Sequence, residues 1–124
     1  MRALIVDDSK AMRMILRRSL SECGFDDFAE AADGEEGLVA LTSGPTPTAA
    51  FVDWNMPVMT GIDFVRAVRS QSIYDSMALI MVTSETAIEH VQAALEAGAD
   101  EYVMKPFTPE VLTEKLELVR MSRP

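Results

Sequence analysis

Ala49-Ala50-Phe51-Val52-Asp53 is an unbroken apolar run closed by a carboxylate. A strand wet on one face would alternate apolar and polar side chains. A continuous run suits a strand buried on both faces, as in parallel sheets. Two further runs of this kind flank it in the chain, Ala3-Leu4-Ile5-Val6 and Leu79-Ile80-Met81-Val82. Weaker runs lie near Phe28-Ala29 and at Tyr102-Val103-Met104. Between the runs the apolar spacing becomes helical. Met12, Ile15, Leu16 and Leu20 predict a first helix, stopped by Gly24. Leu38 and Leu41 mark a second, and Phe64, Val65 and Val68 a third. Ile88, Val91 and Leu95 mark a fourth, stopped by Gly98. The fifth opens with Thr108 as cap and Pro109 at its first position, then buries Val111, Leu112, Leu116 and Val119. Strand and helix alternate five times. With right-handed crossovers, this predicts an α/β fold: a five-stranded parallel sheet with helices on both faces.

The bulk properties narrow the function. A chain of 124 residues that is 48% apolar suits one domain with a buried core rather than a disordered segment. Lys and Arg number 11 against 20 Asp and Glu, a net charge of -9 that disfavours nucleic acid and anionic membrane surfaces as partners. Cys23 is the one cysteine, so no internal disulfide can form, and it is expected as a buried small hydrophobe. There is no signal-like N-terminus and no membrane-length apolar run, which predicts a cytoplasmic protein. Ser43 to Thr48 is read as a connection between the second helix and third strand, and no tail is long enough for an output domain.

In open parallel sheets, ligands bind beyond the carboxyl ends of the strands. Those ends carry Asp7-Asp8, Asp53, Thr83-Ser84 and Lys105-Pro106. One edge therefore gathers three carboxylates, a hydroxyl and an ammonium. Two unit charges ~4 Å apart at an effective dielectric of ~20 repel by about 4 kcal/mol, so the cluster needs a proton or a cation. Clustered carboxylate oxygens suit Mg²⁺ or Mn²⁺ rather than zinc. The sole histidine, His90, falls within the fourth helix pattern and is read as a solvated residue away from the strand ends. A metal on carboxylates, with a lysine nearby, is a site for a phosphoryl group, and Asp53 is the candidate nucleophile. Asp7, Asp8 or Ser9 is also expected to cap the first helix.

On these residues the chain resembles the receiver domains of two-component response regulators over essentially its whole length. Val6-Asp7-Asp8-Ser9 resembles the acidic pair of that family, and Asp53-Trp54-Asn55-Met56-Pro57-Val58-Met59-Thr60-Gly61 its phosphorylation-site signature. Thr83 and Lys105-Pro106 complete the set. The resemblance implies a flavodoxin-like (βα)5 sandwich with the borrowed strand order 2-1-3-4-5. It also implies Asp53 as phosphoacceptor, Mg²⁺ on Asp8, Asp53 and the Asn55 carbonyl with Asp7 acting mainly through water, and Thr83 and Lys105 on the phosphoryl group. Lys105-Pro106 is expected to be cis. Tyr102 matches the aromatic that changes rotamer with Thr83. Thr60 stands where many members have an acidic residue. Asn55, Thr83-Ser84-Glu85 and Tyr102 resemble the single-domain, CheY-like chemotaxis regulators in particular. Asn55 and Glu85, each two residues past a site residue, are expected to border the route of an attacking water.

The expected partners are a sensor histidine kinase, a downstream target such as a flagellar motor or other effector, and a phosphatase. Within the same class, the alternative is a phosphorelay intermediate serving a histidine phosphotransfer protein. A haloacid-dehalogenase-like phosphatase would need an Asp-x-Asp motif after the first strand, and Asp7-Asp8-Ser9 does not supply it. A flavin module would need a phosphate loop there, which two aspartates would repel.

Overall fold

The computed structural model describes residues 1–54, 56–84 and 88–122. Five strands lie among them: β1 (Arg2–Val6), β2 (Asp27–Ala31), β3 (Ala49–Asp53), β4 (Ala78–Thr83) and β5 (Glu101–Met104). The α-helices are α1 (Lys10–Glu22), α2 (Gly34–Leu41), α3 (Gly61–Arg69), α4 (Ile88–Ala97) and α5 (Pro109–Ser122), with a short 3-10 turn at Ser72–Tyr74. All four strand pairings are parallel, and the order is β2-β1-β3-β4-β5, as the resemblance implied.

The pleat sorts each inner strand onto two cores. Leu4, Val6, Ala50, Val52, Leu79 and Met81 pack with Leu41, Phe64, Val68 and Ala94, under α2, α3 and α4. Ala3, Ile5, Ala49, Phe51, Ile80 and Val82 pack with Leu16, Leu20, Leu112 and Val119, under α1 and α5. Both faces are thus covered, which is why the inner strands show no alternation. The two weak runs are the edges β2 and β5, where half-buried positions replace the apolar block.

The helix ends follow from caps. Ser9 Oγ accepts from the Met12 N–H at 3.2 Å, so Ser9 rather than either aspartate caps α1. Thr60 caps α3 by accepting from the Asp63 N–H, which gives this hydroxyl a local role where the family often has an acid. Thr108 Oγ1 accepts from the Val111 N–H at the start of α5, as expected. Gly24 and Gly98 close α1 and α4 with φ of 102° and 120°.

Three apolar expectations fail in detail. Ile15 is 51% and Leu95 44% exposed. In α1 the inward stripe is carried by Leu16 and Leu20, one step round the helix from Ile15. Among the described side chains of α4 the buried one is Ala94, because a small side chain lets the helix approach α3 closely. Cys23 is half-buried, at the turn that ends α1, with Sγ donating to the Pro109 carbonyl and accepting from Thr113 Oγ1.

Candidate functional site

The chain leaves β1 for α1 on one face of the sheet and leaves β3 for α3 on the other, and β1 and β3 are neighbours. The chain therefore diverges at the carboxyl ends of this pair and opens a crevice there. Asp7 follows the last residue of β1, and Asp53 is the last residue of β3. Asp7 is buried, with 1% of its surface exposed. Its Oδ1 accepts from the Ser9 N–H at 2.8 Å and its Oδ2 from Lys105 Nζ at 3.3 Å. Lys105 Nζ also donates to Asp53 Oδ1 at 3.2 Å. Asp8 is exposed at the rim. One carboxylate oxygen from each of Asp7, Asp8 and Asp53 lies within 4.8 Å of the others.

Lys105 is brought in by the sheet. It follows β5, and its N–H donates to the Thr83 carbonyl at 2.8 Å. Thr83 ends β4 one residue beyond Val82, the partner of Asp53, and is 4% exposed. The Lys105-Pro106 bond is cis. The four strand ends therefore converge as the sequence suggested.

The cluster is electrostatically uneasy. Burial pushes the Asp53 carboxyl above its ordinary pKa, and the Asp7 charge pushes it the same way, with a smaller push from Asp8. The Lys105 ammonium offsets part of this through its charge and hydrogen bond. Hard oxygens at this spacing, carrying more negative charge than Lys105 can match, fit a divalent cation such as Mg²⁺ or Mn²⁺. They do not resemble the nitrogen and sulfur ligands of zinc.

The sequence matches the response regulator receiver domain over residues 3–117. The chain belongs to the response-regulator receiver family. This receiver is 44% identical over 119 residues to chemotaxis protein CheY1 of Helicobacter pylori, covering 96% of each chain. It is 45% identical over 117 residues to a CheY homolog of Campylobacter jejuni, covering 94% of this chain and 90% of the relative. Among solved structures, the chemotaxis response regulator CheY4 of Vibrio cholerae superimposes with a TM-score of 0.84 at 40% identity, over 95% of this chain and 97% of that one.

The remaining residues expected at the site stand differently from Asp7, Asp53 and Lys105. Asn55 and Glu85, expected as metal ligand and water neighbour, lie outside the described residues. Tyr102 is half-buried on β5, in register with Met81, with Lys115 Nζ 4.5 Å from its ring centroid. Its register places it two residues short of Met104, the partner of Thr83.

His90 corrects the sequence reading. Its ring lies 5.0 Å from that of Trp54, tilted by 36°, and so is not a solvated group remote from the strand ends. The first turn of α4 passes beside the exit of β3, a proximity that helical spacing alone could not reveal. Two further supports escaped the sequence reading. Arg13 Nη1 donates to the Asp7 carbonyl at 2.6 Å. Gly61 passes so close to the Asp53 carbonyl that a Cβ there would collide with backbone. A glycine straight after a cap residue was a usable signal for the second. Nothing in the sequence signalled the first.

Proposed function

We propose that this receiver is a phosphorylation-dependent switch of a two-component system, taking a phosphoryl group on Asp53 from a histidine kinase and signalling by protein contact in the control of chemotaxis. The observation that carries the reading is the Asp53 carboxylate, desolvated at a strand end between the Asp7-Asp8 pair and the Lys105 ammonium. A carboxylate oxygen can accept a phosphoryl group as an acyl phosphate, and this one stands beside the groups that would neutralise the incoming charge. Its oxygen attacks phosphorus, the bond from phosphorus to the donor breaks, and an acyl phosphate forms on Asp53.

Asp7, Asp8 and Asp53 are the side chains that would hold Mg²⁺, which supplies charge neutralisation as the anionic phosphoryl group approaches. Lys105, already 3.2 Å from Asp53 Oδ1, takes a phosphoryl oxygen, and the Thr83 hydroxyl takes another. Drawing Thr83 inward gives Tyr102 room to turn, which alters the surface of α4, β5 and α5 that a partner reads. The named relatives are chemotaxis proteins, and a flagellar motor component is the kind of effector this implies. Among the described residues, no helix is long and apolar enough to cross a membrane, which accords with work in the cytoplasm.

Intact mass spectrometry with acetyl phosphate and Mg²⁺ tests the reading. One phosphoryl adduct is expected on the native chain and none on Asp53→Asn. An undiminished adduct on Asp53→Asn would place the acceptor elsewhere.

A further inference from the structure

The chain contains one tryptophan and one histidine, and the fold sets them in ring contact next to the proposed phosphoacceptor. Trp54 follows Asp53 directly, and its carbonyl accepts from the Gly61 N–H at 3.1 Å, which pins its backbone across the start of α3. Its indole is half-buried against the core beneath α2, α3 and α4. His90 reaches the same indole from the first turn of α4. A centroid separation of 5.0 Å falls within the range of attractive aromatic pairs. The backbone of residue 54 is thus fixed by α3, while the remaining freedom of its ring is limited by α4.

We propose that His90 is a positioning residue for the Asp53 site, holding the Trp54 indole against α4 so that the ring cannot swing away from the crevice. The inference rests on Asp53 being the phosphoacceptor. Trp54 is bonded directly to Asp53, so removing the imidazole frees the indole next to the acceptor and loosens the setting of the Asp53 carboxylate. It also ties α4 mechanically to the residue after Asp53, by a route separate from Thr83 and Tyr102. A flat ring is the feature that matters, so a phenyl group should replace the imidazole.

The test uses His90→Ala and His90→Phe, with thermal unfolding as a check that both fold. Trp54 is the sole tryptophan, so its emission reports the ring contact directly. His90→Ala is expected to shift that emission to the red and to shorten measurably the lifetime of the Asp53 adduct. His90→Phe is expected to return both readouts close to the native values. A folded His90→Ala with native emission and native adduct lifetime would overturn the proposal. So would a His90→Phe that restores emission and leaves the lifetime short, because the ring would then be structural only. A native chain that takes no adduct on Asp53 fails at the earlier step, and is told apart by the missing mass increment.

Discussion

The two ends of the sheet use charge in opposite ways. At the carboxyl ends, Lys105 pairs with Asp7 and Asp53 while Asp8 stands close to both carboxylates, and negative charge is left over. At the amino ends of β4 and β5, Arg69 donates to the carbonyls of Gly98, Tyr74 and Met77 at 2.9 Å each and to Asp100 Oδ2 at 2.8 Å. Asp100 Oδ2 also accepts from the Leu79 N–H at 2.8 Å. Both Arg69 and Asp100 side chains are 13% exposed. One end is a satisfied clamp joining α3, the 3-10 turn, β4 and the start of β5. The other is held in a state that a cation would relieve. The difference teaches that a switch needs both: a locked end that keeps the strands in register, and a strained end whose occupancy can change without unfolding the sheet.

The contrast breaks most visibly at the clamp. Arg69→Ala leaves Asp100 charged, largely buried and without this partner, along with three carbonyls. A loss of about 3–5 kcal/mol is expected. Urea unfolding of the native and variant chains measures it, and a loss near that of a surface ion pair would mean that the clamp is not the locked end.

At the opposite end the sign reverses. Asp53→Asn removes a charge that the folded, metal-free site disfavours, so it should stabilise that state at neutral pH by on the order of 1 kcal/mol. The folded pKa of Asp53 is raised, so its protonated form favours folding, and that contribution is lost as pH rises through the folded pKa. The advantage of Asp53→Asn should therefore shrink as pH falls through that same value. Mg²⁺ should stabilise the native chain and do so much less for the variant. Thermal melts across pH, with and without Mg²⁺, read all three. A destabilised Asp53→Asn at neutral pH would show that the strained end is not strained.

The smallest effect concerns backbone. Val58, in the loop after Asp53, has a φ of 68° and is 72% exposed. A β-branched residue is poorly suited to that region, whereas asparagine tolerates it. Val58→Asn should gain up to about 1 kcal/mol, confined to the strained end. Equal or lower stability in denaturant would indicate that no strain is held there.

The legibility of the sequence followed burial. The inner strands β1, β3 and β4 read as unbroken apolar runs because both of their faces are covered, while β2 and β5 read weakly because edges need less apolar surface. The convergence of Asp7, Asp53, Thr83 and Lys105 is legible because bringing strand ends together requires only that the strands be placed correctly. What was hidden depended on how helices lie across strands. Ile15 and Leu95 fit the helical period and still face water, since the period fixes spacing but not which part of a stripe meets the sheet. His90 lies on the helix its spacing predicts but is not the solvated residue expected there, because Trp54 is brought near only by the path of α4.

The hydrogen bonds of Lys105 span 98 residues to Asp7 and 52 to Asp53. No fragment that lacks either half of the chain can assemble this cluster, and Asp7 and Asp8, just past β1, gain their setting only beside β3 and Lys105. Contacts so distant in sequence close long loops, whose entropic cost only the assembled sheet offsets. Competence to accept a phosphoryl group therefore depends on the whole sheet and not on any one strand end. A copy in which these strand ends are apart would lack the cluster and be silent to its donor.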